Sequence, residues 1–333
     1  MRVSTARSLV VAALGFLAAA CANSATVNVE RAPRVLGAER IYSLAVMDFA
    51  GPGGTVLAEE IESEMVAARF RGQPAVSVVD PSSAGPRYAR GRYRPARRGA
   101  AGLVEIGRRI DVDGVIGGSV LDEIVDDREY TREEDDCVAR DEDGDCTEVR
   151  VVEIPCWDVD ARIEARVLLV ETATGRTLFN DIVRGESGMY YCEDEHLPYT
   201  IPQLRDQARR DAARPLRELF LPHEERVRAP FQRPGDNLPE PVAARFQAGY
   251  ELAGDDRLGE ACTIWEELET SGVRTAGLLY NLGVCAEVFG RLELALQRYE
   301  QALSLSPDEF RDARRARRRV ITQMRDLDRL QGG

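Results

Sequence analysis

From Arg40 to Leu221 the apolar positions change period several times, and each change marks an element. In "IYSLAVMDFAG" the residues Leu44, Val46 and Phe49 form the apolar core of a run that ends at Gly51-Pro52-Gly53-Gly54. That pattern predicts a strand closed by a tight turn. "TVLAEEIESEMVAARF" then places Leu57, Ile61, Met65 and Val66 on one face of a helix. "AVSVVD" reads as a short buried strand, "AAGLVEIGRRI" as a helix and "DVDGVIGGSVLDEIV" as the start of a third strand. Two more strands, "DVDARIEARVLLVETATG" and "RTLFNDIVRG", meet at a turn around Thr174-Gly175. "IPQLRDQARRDAARPLRELFLP" closes the series as a helix. The succession β-α-β-α-β-β-β-α predicts an α+β domain over residues 40–221, a mixed sheet with helices packed on it.

Past residue 241 the period stays helical, and the chain repeats itself. "RFQAGYELAGDDRLGEACTIWEEL" aligns with "LYNLGVCAEVFGRLELALQRYEQAL" at a spacing of 34 residues. Gly249 falls on Gly283, Ala261 on Ala295, Trp265 on Tyr299, and Leu268 lies opposite Ala302. Leu282 precedes the second glycine and Pro307 ends the second unit. This pattern resembles the tetratricopeptide repeat, with small residues where two helices cross, an aromatic knob on the second helix and a proline stop. The match covers 276–309 fully. Over 242–275, Ala248 and Val273 stand where the family has Leu and Pro. Residues 310–330 read as a final amphipathic helix carrying Phe310, Val320, Ile321, Met324 and Leu327, the cap that a short solenoid needs. Residues 242–330 thus form an all-α module, two repeats and a cap. The arginines between Arg311 and Arg319 read as a solvated outer face, with an anion site as the alternative. Five prolines between Leu221 and Pro241 make 222–241 a stiff, extended linker.

The N-terminus has a different character. Arg2 and Arg7 precede an apolar stretch, Leu9 to Leu17, and the small residues Ala18-Ala19-Ala20, as in a secretory signal. With the three alanines the apolar run is 12 residues, Leu9 to Ala20, shorter than the ~20 that a spanning helix needs. Cys21 follows directly, so residues 1–20 resemble a bacterial lipoprotein signal, although Ala18 stands three places before the cysteine where Leu is usual. The resemblance implies that Cys21 becomes the acylated first residue, anchoring the chain without spanning the membrane, with 21–39 a flexible spacer. Ala22 rather than Asp comes next, which favours the outer membrane, with the protein facing the periplasm. The remaining chain suits two domains. All 44 basic residues are Arg, read here as codon bias in a GC-rich genome. The net charge of −13 argues against nucleic acid as a partner.

In "LAVMDFAG", "IDVDGVIGGSV", "ARVLLVETATGRTL" and the closing helix, taken in order over 41–221, the central domain resembles the CsgG-like lipoproteins. That fold is shared with the N-terminal domain of TolB and with the penicillin-binding-protein activator lipoproteins. The resemblance implies an envelope protein that self-associates or binds partners and has no catalytic activity. Some members extend β-hairpins into the bilayer as a pore. Here the corresponding segment, Asp122 to Glu148, carries fourteen acidic residues and three arginines. An ionised side chain facing lipid at mid-bilayer costs on the order of 2–4 kcal/mol for Arg, less for Asp or Glu. A hairpin so charged does not insert, and the pore function is not carried over.

With Cys21 acylated, six cysteines remain for an oxidising compartment, where pairing is the default. Cys137 and Cys146 bracket "CVARDEDGDC", which reads as a hairpin tip with an Asp-Gly turn stapled by a disulfide, within an acidic hairpin over 122–156. A calcium loop is the alternative, but counting from Asp141 the EF-hand positions six and twelve hold Cys146 and Val152. Cys156 leads into one strand and Cys192 ends the next, which favours a bridge between strand ends over a metal site formed with His196. In the repeat architecture, Cys262 and Cys285 fall on helices that pack side by side. A bridge or two buried thiols both fit.

One segment, "RYARGRYRPARRG", holds six arginines, two tyrosines and no acid. Arg90, Arg92, Arg94, Arg97 and Arg98 could form an anion-binding loop, a mobile loop, or a basic patch meeting the acidic hairpin of a second copy. No nucleophile elbow, phosphate-binding loop or zinc signature occurs, and "GPGG" lacks the Lys-Ser/Thr of a phosphate loop. His196 and His223 lie in polar or proline-flanked segments. The expectation is a non-catalytic envelope lipoprotein without cofactor or metal, held to the membrane by its lipid alone. It binds a partner protein through the groove of the repeats. The alternatives are a ring-forming homo-oligomer in a transport or secretion machine, built by the central domain, and an activator of a cell-wall synthase.

Overall fold

The structure, a computed structural model, describes residues 23–92, 99–195, 197, 199–235, 237–306 and 310–332. The chain divides into two compact units, each discontinuous in sequence. One comprises Val29–Glu225 with Gln323–Gly333, the other Met1–Asn28 with Arg226–Thr322. Among the described residues, no helix is long and apolar enough to cross a membrane.

The first unit is mixed α/β. After β1 (Ser24–Arg31) come β2 (Ser43–Val46), α1 (Gly54–Ala67), the two-residue strands β3 (Arg69–Phe70), β4 (Gln73–Pro74) and β5 (Ser77–Val78), and α2 (Gly99–Ile110). The long strands β6 (Gly114–Arg140), β7 (Cys146–Glu171) and β8 (Thr177–Cys192) follow, then α3 (Ile201–Phe220) and β9 (His223–Pro230). A five-stranded sheet runs in the order β5-β2-β6-β7-β8. Strand β2 is parallel to both neighbours, while β6, β7 and β8 are antiparallel. The sheet is therefore mixed, with helices on both faces.

The sequence periods follow from this layering. Every residue of "LAVM" is apolar because both faces of β2 are covered. Leu44 and Val46 join α1 and α3 in one core cluster, and Ala45 and Met47 join α2 in another. Strand β7 alternates instead: Val159, Ala161, Ile163, Ala165 and Val167 point to the α1/α3 side. The intervening Arg162 and Glu164 form outer-face ion pairs with Asp160 and Arg184. Helix α3 buries Leu204, Ala208, Ala212, Leu216 and Phe220, one residue every four, and starts at a capping box between Thr200 and Gln203. Past Val120 the ladder of β6 with β7 continues through a register shift between Val120 and Asp122, with β8 alongside as far as Cys156, and beyond Tyr130 it runs to the tip as a two-stranded ribbon.

Two stretches expected to lack structure are strands. The proposed spacer 21–39 contains β1, the proposed linker 222–241 contains β9, and the two pair as a separate two-stranded sheet. Ala25, Val27 and Val29 alternate in β1 and are buried. Eight residues of alternation between an alanine-rich leader and a proline are easily read as spacer.

The second unit contains α4 (Glu240–Gly254), α5 (Leu258–Thr270), α6 (Ala276–Val288), α7 (Leu292–Leu305) and the first turns of α8 (Arg311–Gln331). These are helix pairs repeating at the spacing of the sequence. A Cβ on Gly249 would stand 2.7 Å from the Trp265 indole nitrogen. One on Gly283 would stand 2.5 Å from the Tyr299 ring. Glycine is thus paired with the aromatic residue at the same point of each repeat because the ring fills the space of the missing side chain. Ala261, Ala295 and Ala302 are fully buried, and Leu282 is buried. Helix α6 is buried from Leu278 to Glu287 on all sides, as befits the middle helix of a stack.

Glu287 is the acid within that core. It accepts from the Tyr299 hydroxyl at 2.6 Å and from Nε and Nη2 of Arg319 at 2.6 and 2.7 Å. Arg319 therefore does not belong to a solvated arginine face, as its run suggests; it neutralises a buried carboxylate. Val320 is buried on α8, whereas Phe310, Ile321, Met324 and Leu327 are only partly covered.

Candidate functional site

The site with the most specific geometry lies in the helical unit, where the chain leaving β9 meets the first helix of each pair, Tyr250 of α4 and Asn281 of α6. Phe231 is buried, its ring centroid 5.1 Å from that of Trp265, which in turn lies 6.1 Å from Phe246 of α4. The Trp265 indole N–H donates to the Phe246 carbonyl at 3.4 Å, which fixes the wall against which Phe231 packs. Asn281 of α6 is completely buried and reads the next residue by its backbone. Its Oδ1 accepts from the Gln232 N–H at 2.8 Å, and its Nδ2 donates to the Gln232 carbonyl at 2.9 Å. The Gln232 side chain donates to Asp312 of α8 at 3.2 Å, and the Arg233 guanidinium lies 5.2 Å from the Tyr250 ring centroid.

The N-terminal segment completes this arrangement. The Asn23 carbonyl accepts from the Phe231 N–H at 2.7 Å. Its own N–H donates to the Tyr250 hydroxyl at 3.2 Å, and its Nδ2 to the Tyr250 carbonyl at 2.7 Å. Beside Gln232, Arg233 and Gly235 lies a cavity of about 270 Å³, bordered also by Thr275, Gly277, Ser306 and Phe310. A side-chain amide that both donates to and accepts from one residue's backbone recognises extended chain irrespective of side chain. The aromatic pocket adds a preference for one large ring. Burial also pushes the phenols of Tyr280 and Tyr299, in the core behind this groove, well above the usual tyrosine range.

None of Asn23, Phe231, Gln232, Tyr250 or Asn281 is singled out by the sequence. Asn281 carries a signal, as a polar residue inside the otherwise apolar "LLYNLGVC". Phe231 carries another, as the one aromatic residue of a proline-rich stretch.

The other expected sites come out differently. Cys137–Cys146, Cys156–Cys192 and Cys262–Cys285 are disulfides, with Cα atoms 5.8, 3.9 and 5.9 Å apart. Cys156 and Cys192 are directly opposite in the β7–β8 ladder, and Cys262–Cys285 joins α5 to α6. At the hairpin tip Asp141 accepts from the backbone N–H groups of Asp143 and Asp145, so its carboxylate closes the turn. Cys192, Asp194 and Glu195 cluster, but the thiol is bridged and both carboxylates pair with Arg132. That set is no metal centre. His196, the ligand expected beside the two cysteines, lies outside the described residues, as do Cys21, Pro307, Arg94, Arg97 and Arg98.

Arg90 corrects the expectation of a basic loop. Its guanidinium turns inward to the buried Asp48 at 3.0 Å and to Glu62, and the Gly91 N–H also donates to Asp48, at 2.7 Å. Only Arg92 of the described set is exposed. At the "GPGG" turn the Glu123 carboxylate, paired with Arg209, lies against Gly53. The chain supplies its own anion at the start of α1, where a phosphate loop would need space.

No family model and no curated protein matches the chain. Similar solved structures include a dodecamer of a PelC variant from Paraburkholderia phytofirmans, at 12% identity and a TM-score of 0.25, covering 58% of this chain and 97% of that one. Another is the hypothetical protein CT253 from Chlamydia trachomatis, at 9% identity and a TM-score of 0.22, covering 44% and 71%. Scores of this size assign neither a family nor a function.

Proposed function

We propose that the chain is a non-catalytic envelope lipoprotein that acts as an adaptor, taking an extended segment of a partner protein in the groove of a tetratricopeptide-type module. The observation that carries this reading is the grip of Asn281 on both backbone groups of Gln232, beside an aromatic pocket. A groove able to hold one extended chain in this way has the chemistry to hold another. The glycine–aromatic pairing at a spacing of 34 residues supports the repeat assignment. The order of strands and helices over 40–221 supports a CsgG-like domain. The anchor is Cys21 in this reading, in the outer membrane. Asn23, two residues on, is already bound to Tyr250, so the lipid would be coupled to the helical unit with almost no free spacer.

Photo-crosslinking in the native envelope tests the proposal. A crosslinker at Ser306 or Thr275, in the cavity beside Gln232 and Arg233, is expected to trap one partner species, and one at Arg150 on the acidic ribbon is not. Trapping only from Arg150, or only copies of the chain itself, would replace the adaptor by a self-associating scaffold. Exchange of Cys21 for Ser is expected to move the protein from the membrane to the soluble fraction, and retention would remove the anchor.

A further inference from the structure

The groove is already filled by the chain's own segment Ala229–Arg233, and this bears on how a partner gains access. We infer that this segment is a resident, displaceable ligand of the groove. The partner would be an extended peptide with the same chemistry, an aromatic residue followed by a polar one, that takes its place. The inference rests on the adaptor reading and adds to it a competition within the molecule.

Four observations carry it. The segment contributes only two buried side chains, Ala229 and Phe231, and half the residues of β9, whose last two are Ala229 and Pro230, are exposed. It holds the groove through contacts that any peptide of this chemistry could reproduce: a ring against Trp265, a backbone N–H and carbonyl on Asn281, a polar side chain on Asp312. The segment does not fill the space available, because a cavity lined by Gln232, Arg233 and Gly235 together with Thr275, Ser306 and Phe310 remains beside it. Asn281 cannot remain empty cheaply, since a fully buried amide without partners loses its hydrogen bonds to protein and to water alike. Departure of the segment is therefore favoured only when another chain arrives, which makes the step an exchange. Asn23 governs the exchange from outside, because its carbonyl holds the Phe231 N–H while its side chain is fixed on Tyr250.

The probe is a fluorescent synthetic peptide, RVRAPFQRPG, corresponding to residues 226–235, titrated into the mature full chain. The Phe231→Ala chain is expected to bind it at least tenfold more tightly than the wild type. Adding Asn281→Ala is expected to abolish that gain, and a peptide with Ala in place of its Phe is expected not to bind. A folded Phe231→Ala chain that binds the peptide no better would overturn the inference. Should Phe231→Ala fail to fold, hydrogen exchange of the wild-type chain decides. Exchange at the Phe231 and Gln232 amides at least a hundredfold faster than at the α6 amides supports displacement, and equal rates reject it. A concentration-dependent dimer that exchanges this segment between copies would name the second copy as the occupant and overturn the partner. Failure of the peptide to bind leaves a groove crosslink in the envelope intact, so the two readings fall separately.

Discussion

Gly249 and Gly283 occupy the same point in two helix pairs, and a single methyl group tests what they do. Gly283→Ala forces a Cβ against the Tyr299 ring, and Gly249→Ala against the Trp265 indole. Each is expected to destabilise the helical unit by about 1–3 kcal/mol, the usual cost of overpacking a filled core. Gly259 of α5 has open space where its Cβ would stand. Gly259→Ala should therefore be neutral or stabilise by up to about 0.5 kcal/mol, since Gly259 lies in the first turn of α5, where helix propensity counts for less than in the interior. Urea unfolding followed by circular dichroism separates the three, and equal effects would remove the packing explanation. Glu287 is the harsher case. Glu287→Ala leaves Arg319 buried without its carboxylate, at an expected cost of ~3–5 kcal/mol. At this scale the repeating residues were legible because each glycine has an aromatic partner 16 positions on in both repeats. Arg319 and Arg90 were not. An arginine run reads as surface, and the acid that turns one of its members inward lies tens of residues away.

At the scale of elements, the helical unit should respond to alkali. Tyr280 and Tyr299 hold their protons in the folded chain to a pH above the ordinary tyrosine value of 10.0, chiefly because burial penalises the phenolate. The unfolded chain releases those protons near 10. Below that pH the two groups bind equal protons in both states and stability does not depend on them. Above it the unfolded state gains by ionising first, so stability falls as pH rises through and beyond 10. Denaturation midpoints measured at pH 8, 10 and 11 in the Tyr280→Phe/Tyr299→Phe chain should lose this extra fall. The disulfides divide by element too. Cys262–Cys285 ties two helix pairs over a separation of 23 residues. Replacing both cysteines by Ser should lower the stability of the helical unit by about 3 kcal/mol on the loop-entropy estimate. Cys137–Cys146 closes only the ribbon tip, and its loss should speed amide exchange near the tip while leaving the midpoint unchanged. Long periodic elements were readable from the chain, whereas β1 and β9 were not. Each is eight residues long, and its partner lies about two hundred residues away, so no local pattern announces the pairing.

At the scale of the molecule, the linear picture of anchor, spacer, domain, linker and repeats gives way to two units that each draw on two separate stretches of chain. Cutting at the proline-rich stretch should therefore not release an independent module. A fragment of residues 242–333 lacks Phe231, which packs on Trp265, and leaves Asn281 with neither of its backbone partners. Restoring residues 226–241 returns those contacts but not Asn23, which supplies three hydrogen bonds to Tyr250 and Phe231. At roughly 0.5–1.5 kcal/mol per bond, Asn23 alone accounts for on the order of 2–4 kcal/mol. A chain beginning at Val29 also lacks the buried Ala25 and Val27 of β1, and should lose at least that much from its helical unit relative to one beginning at Asn23. The difference is read as a shift of the urea midpoint, followed by Trp265 emission in a Trp157→Phe background. Equal midpoints would return residues 23–28 to the role of spacer. The expected loss would instead make the segment next to the lipidation candidate a part of the fold it anchors. Pulling on the N-terminus would then act directly on the residue that holds the occupant in its groove.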